Sequence, residues 1–164
     1  MAAIGTAVGR RVLELLSGET GVGPALTQAA EAAGITMPPI SAGQIIAQNV
    51  AADVTEKTAG AKYPAVHVYC DKVTNSLREK FRRFSGTVRM IAEARMSQDR
   101  LEGLEQRSQT LADAITDVLD QSRGDWGQGM FYAGGYELSF TPVKHGGRNF
   151  IQIVKISFEV DVSQ

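Results

Sequence analysis

The sequence predicts an α+β fold: a mainly antiparallel β-sheet with helices packed against it. Three observations lead there. Apolar residues recur with helical period through the first 60 residues and again from Leu101 to Val118. They alternate with polar residues from Val88 to Met96 and from Phe150 to Val162, the period of a strand. The resulting order is three helices, two strands, one long helix and a final hairpin, which forms a sheet layer with helices on it. A chain of 164 residues suits one domain, with N-terminal helices over 1–60 and the sheet and long helix over 61–164.

The first helix is expected over Ile4–Ser17, where Ile4, Val8, Val12, Leu15 and Leu16 form one stripe and Gly18 fits the C-terminal cap. A second helix starts at Pro24, carries Leu26, Ala29, Ala30 and Ala33, and stops at Gly34. Met37-Pro38-Pro39 is a stiff break, because a residue before proline avoids the helical region. Ser41 with Gln44 then reads as a capping box opening a third helix, with Ile46, Val50 and Val54 on one face, running to about Thr58 and ended by Gly60.

From Pro64 to Cys70 the period is two, with Val66 and Val68 on one side and His67 and Tyr69 on the other. Asp71–Arg83 is polar and basic. A second strand spans Ser85–Ser97, its Val88, Met90, Ala92, Ala94 and Met96 inward and Arg89, Ile91, Glu93 and Arg95 on a wet face. Asp99, with Glu102 three residues on, is expected to cap a long helix carrying Leu101, Leu104, Ser108, Leu111, Ile115 and Val118 on one stripe, closed by Gly124. Strand periodicity returns near Phe131, and Gly134-Gly135 suggests a bulge. Tyr136, Leu138 and Phe140 share a face, Thr141–Arg148 is a polar loop, and Phe150–Val162 is an unusually long last strand with an expected intersubunit role.

Composition narrows the chemistry. The single cysteine, Cys70, excludes an intramolecular disulfide and a cysteine-based zinc site. His67 lacks a partner set for a metal and reads as a strand histidine, while His145 before Gly146-Gly147 reads as a turn residue. Gly18, Gly21 and Gly23 are not followed by the Lys-Ser/Thr of a phosphate loop, and no serine sits in a Gly-x-Ser-x-Gly elbow. No catalytic machinery, cofactor or metal is therefore expected. No apolar run reaches the length of a membrane span, and the N-terminus lacks the apolar core of a secretory leader. A soluble protein of cytoplasmic type is the expectation.

A net charge of −1 hides an uneven distribution. Residues 62–89 hold seven basic groups against two acidic ones, and residues 90–122 hold seven acidic against three basic. These blocks suit solvated faces, a contact between one subunit's basic segment and the next subunit's acidic helix, or nucleic-acid binding through Arg78, Lys80, Arg82 and Arg83. In the last case Phe81 and Phe84 would stack bases, and otherwise they would be core anchors.

Read as an order of phrases, the chain resembles a known family. Tyr-Pro-Ala-Val-His-Val-Tyr leads to Leu-Arg-Glu-Lys-Phe-Arg-Arg-Phe-Ser-Gly, then Ile-Ala-Glu-Ala-Arg and Leu-Ala-Asp-Ala-Ile-Thr-Asp-Val-Leu. The sequence closes with Gly-Gly-Tyr-Glu-Leu-Ser-Phe-Thr-Pro-Val and Phe-Ile-Gln-Ile-Val-Lys-Ile-Ser-Phe-Glu-Val. From about Arg10 to Val162 this is similar to the tail terminator (tail completion) proteins of long-tailed bacteriophages and phage-like particles. The resemblance implies a single-domain structural protein of the virion, assembled in the host cytoplasm and placed at the head-proximal end of the tail. Such proteins form a hexameric ring on the last ring of tail tube protein, stop its growth and present the docking surface for the neck or head-completion protein. DNA passes through the lumen without specific binding, and no membrane or cofactor is involved. By that analogy the final hairpin, with Ile151 and Ile153, builds the ring. Arg78, Arg82, Arg83, Lys144, His145 and Arg148 then meet tube, neck or neighbour. The alternatives are another head–tail connector or a small nucleic-acid-binding module.

Overall fold

One strand organises the molecule. The computed structural model describes residues 2–56, 60–146 and 148–164. In chain order they form α1 (Ala2–Ser17), α2 (Val22–Ala33), a 3-10 turn (Ala42–Gln44), β1 (Ile45–Ala47), α3 (Ala52–Glu56), β2 (Ala65–Asn75), β3 (Ser85–Gln98) and α4 (Leu104–Gln121). The strands β4 (Gly124–Gly127), β5 (Met130–Tyr132), β6 (Tyr136–Phe140), β7 (Lys144–Gly146) and β8 (Asn149–Ser163) follow. β8 pairs with β3 along its whole length, from Phe150↔Gln98 to Ser163↔Ser85. Its other edge is occupied in series by β7, β6 and β5. The sheet order is β1-β2-β3-β8-β5-β4, antiparallel except for the parallel pair β1–β2. The expected α+β class and its mainly antiparallel sheet are both present.

One face of this sheet carries the helices. Val8, Val12 and Leu16 of α1, Leu26 of α2 and Leu111, Ile115 and Leu119 of α4 are buried with Val66, Val68, Val88, Met90, Val154, Ile156 and Phe158 from the strands. Small residues bring the layers close. A side chain at Gly5 of α1 would meet the Cys70 thiol at 2.9 Å, and Ala92 and Ala94 lie at the centre of the sheet.

The structure corrects several expectations. The helix expected over 41–58 is absent. Gln44 Oε1 does accept a hydrogen bond from the Ser41 backbone N–H at 3.0 Å, but the capping box closes one 3-10 turn only. Gln44 Nε2 then donates to the Pro64 carbonyl at 2.7 Å, and Ile45 and Ile46 pair with Val66 and His67. A neighbouring strand thus offers β-branched residues a ladder that outweighs a weak helical stripe. Val54, assigned to that stripe, is half exposed in the short α3, and Thr58 lies outside the described residues.

α2 starts two residues before Pro24, after Gly21. α4 starts at Leu104 behind Gly103 (φ +78°), so Asp99 is not its cap and Leu101 is exposed. Gly124 opens a strand, and the bulge lies between Asp125 and Gly127, not at Gly134-Gly135. β2 runs through a bulge at Asp71 into the polar stretch as far as Asn75. Thr141–Arg148 contains β7, so His145 is a strand residue paired with Phe150. Gly147 lies outside the described residues. Finally, β8 does not project: both its edges are largely taken within the chain.

Candidate functional site

The face of the sheet without α1, α2 and α4 is where polar and charged side chains gather. Register places His67 opposite Glu93 across β2–β3, with Arg95 opposite Ala65 and Tyr69 opposite Ile91. This stretch of β3 is not the wet face that alternation implies. Arg95 is 1% exposed and Glu93 5%. The Arg95 guanidinium pairs with Glu93 Oε1 at 2.8 Å and donates to Thr55 Oγ1 at 3.2 Å and to the Val50 carbonyl. Tyr69 Oη donates to Glu93 Oε2 at 3.0 Å. Segment 48–56 crosses over this face, and Arg95 ties it down. Burying two charges is costly unless each finds hydrogen bonds, and here both carboxylate oxygens and three guanidinium donors are engaged.

His67 sits beside this pair, 2% exposed, and its Nδ1 has no hydrogen-bond partner among the described residues. Burial, then the Arg95 charge, lowers its pKa to about 4, so the ring is neutral at pH 7. Burial and the neighbouring Glu93 hold the Tyr69 phenol well above its ordinary range. A neutral histidine, a locked tyrosine and a carboxylate committed to arginine form no acid–base couple poised near neutrality. Among the described residues no three His, Cys, Asp or Glu side chains converge to hold a metal ion. No helix among them is long and apolar enough to cross a membrane.

Two of the clefts on this face are lined by β8. One, of about 480 Å³, is lined by Tyr69 and Glu93 at its back, Ile151 and Ile153 of β8, and Lys144, His145 and Lys155. Four of the residues expected to form contacts therefore come together. The His145 ring packs edge-on against Phe150, with centroids 5.2 Å apart. Arg148 is exposed in the β7–β8 turn. The other cleft, of about 440 Å³, lies between β6 and β8 and includes Glu137, Glu159 and Asp161.

Arg78, Arg82 and Arg83 sit elsewhere, on the β2–β3 loop at the far end of β8. That strand rises about 3.3 Å per residue, so the two groups are roughly 40 Å apart along it. Arg78 pairs with Asp161 at 3.7 Å and Arg82 with Glu79 at 3.6 Å. Phe84 is buried in the core, while Phe81 is fully exposed. The two aromatics expected to act alike thus have opposite roles. On α4, Asp113 and Asp117 stand one turn apart, and burial followed by that like charge raises the Asp113 pKa.

Sequence reasoning missed the Glu93–Arg95 pair and Tyr69. The available signal was Ile91, an apolar residue on the face assigned to water and two positions from Glu93. No protein-family model matches this chain, nor does any curated protein.

Proposed function

We propose that this chain is a ring-forming structural protein of a virion, a tail terminator without catalytic activity. It assembles as a hexamer on the end of the tail tube, stops tube polymerisation and presents the surface to which the neck or head-completion protein docks. DNA passes through its lumen without specific recognition. The observation that carries this reading is the spatial division of charge. The β2–β3 loop displays Arg78, Lys80, Arg82 and Arg83 at one end of the sheet. Acidic groups are displayed on other surfaces: Glu105, Asp113, Asp117 and Asp120 along α4, and Glu137 and Glu159 on the bare face. Two complementary but different surfaces on identical subunits make a heterologous contact, which closes a ring when its rotation permits. The resemblance across Arg10–Val162 supplies the rest.

A nucleic-acid module would leave its cations free for phosphate. Here two of the four arginines and lysines on the loop already face Asp161 and Glu79, which favours the protein contact. Light scattering coupled to size exclusion, with negative-stain imaging, tests ring formation. Polymerising tube subunits with and without the protein tests capping. Closed six-fold rings and shortened, capped tubes are expected. Tubes of unchanged length would overturn the terminator and leave another head–tail connector as the reading.

A further inference from the structure

The β2–β3 loop holds two bulky apolar residues in the left-handed backbone region, Leu77 (φ +47°) and Phe81 (φ +66°), and turns both outward. Side chains of this size rarely adopt that conformation. The loop is nevertheless tightly built. Asn75 Oδ1 accepts from the backbone N–H groups of Leu77 and Ser85, each at 3.2 Å. The N–H groups of Arg83 and Phe84 donate to the Gln164 carbonyl at 2.9 and 3.0 Å. Ser163 Oγ donates to Glu79 Oε2 at 2.8 Å. A strained backbone, held rigidly and used to display an aromatic ring among cations, is the make-up of a preorganised docking element.

We infer that this loop of one copy docks, Phe81 foremost, into the β6–β8 groove of a second copy, with Lys80 and Arg83 meeting Glu137 and Glu159. Ala133, Gly135, Tyr136 and Phe158 line the groove beside Glu137, Glu159 and Asp161; the one cation in its wall, Arg89, is paired with Asp71, which leaves a partly apolar seat with acids in excess. Charge complementarity selects it. Among the described residues, Arg78, Arg82 and Arg89 are neutralised in-chain by Asp161, Glu79 and Asp71, whereas Lys80, Arg83, Glu137 and Glu159 form no ion pair. The acidic ridge of α4 is the competing surface, but its exposed positions are acids and amides and would leave the Phe81 ring in water. A second copy as the occupant rests on the ring-forming reading.

Benzoylphenylalanine in place of Phe81 in the full chain tests the contact by photo-crosslinking at high protein concentration. Crosslinks between chains should map to residues 133–137 or 157–161, and should vanish when Glu137→Lys and Glu159→Lys are combined. Adding Lys80→Glu and Arg83→Glu to that double variant should restore them. Phe81→Ser should weaken self-association by about thirtyfold, the effect of losing one central aromatic anchor, with the monomer's stability unchanged. Crosslinks to α4, or an unaltered association constant for Phe81→Ser, would overturn the proposal. So would a Lys80→Glu variant that loses only affinity for DNA. A protein that stays monomeric yet caps tubes refutes this contact and spares the terminator. Groove-crosslinked rings that leave tubes uncapped do the reverse.

Discussion

The two faces of β3 are buried by different means. Toward α1 and α4, Val88, Met90, Ala92 and Ala94 lie beside Val160, Phe158, Ile156 and Val154 of β8, and apolar side chains of similar volume would serve. One residue away along the same backbone, Glu93 and Arg95 are as deeply buried, but each depends on specific partners: Glu93 on Arg95 and Tyr69, Arg95 on Glu93, Thr55 and Val50. The first face tolerates variation in shape, and the second tolerates none in hydrogen bonding. The helix layer accordingly makes the fold stable, while the bare face makes one particular placement of segment 48–56 necessary.

Breaking either face should cost a similar amount but for distinguishable reasons. Phe158→Ala removes a core ring that packs edge-on against Tyr132 at 5.7 Å, and should destabilise by about 3–5 kcal/mol in urea unfolding. Arg95→Ala strands the Glu93 carboxylate and should cost about 3–5 kcal/mol as well. The contrast appears on adding Glu93→Leu: with Arg95→Met it should recover most of the loss, because no buried charge is left unpaired. A double variant as unstable as Arg95→Ala would show that packing, not desolvation, dominates there.

A smaller effect reads the bare face through pH. The folded-state pKa of His67, about 4, lies below its ordinary value, so the unfolded chain binds a proton first as pH falls. Its contribution is neutral above pH 7, declines as pH drops through 6.5 and levels off below 4. By pH 5 the loss should reach about 2 kcal/mol relative to pH 7. The difference in urea midpoint between the wild type and His67→Phe, followed over that range, isolates it. Parallel curves would mean that His67 protonates in the folded state as easily as in the unfolded one.

The helix-face half of this comparison is legible in the sequence and the other half is not. Alternation in β3 and β8 and the stripe Leu104–Ser108–Leu111–Ile115–Val118 are local periodicities, and burial follows them. The fate of Glu93 and Arg95 depends on Thr55 and Val50, some 40 residues upstream in the chain, which no window reveals. The same holds for Ile45 and Ile46, whose helical spacing is overruled by β2. β4 and β7 are too short to announce themselves; β4 exists because β5 offers an edge, and β7 because β8 does. Of the candidate contact residues, Lys144, His145, Ile151 and Ile153 do share a cleft, yet their distance from Arg78–Arg83 needed the sheet register.

The smallest expected effects concern exposed groups. Glu159→Ala and Asp161→Ala should each change monomer stability by less than about 0.5 kcal/mol, since neither is buried. If the bare face is an interface, the same changes, and Ile153→Asp more strongly, should weaken ring formation in light scattering. Equal assembly by the wild type and Ile153→Asp would remove the Ile151–Ile153 side from the ring contact.

The filling of both β8 edges has a further consequence. The open edges are short or interrupted: β1 and β7 have three residues, β4 four and β6 five, while β2, which β1 covers only over Val66–Val68, carries a bulge at Asp71 and the charged Asp71 and Lys72. Edges so short or so interrupted make poor templates for a stranger's backbone. If the chain stops a polymer as proposed, it is thereby also guarded against starting one: at high concentration its copies would meet through side chains, whose fit can be selective, and not through peptide groups, which are the same in every protein.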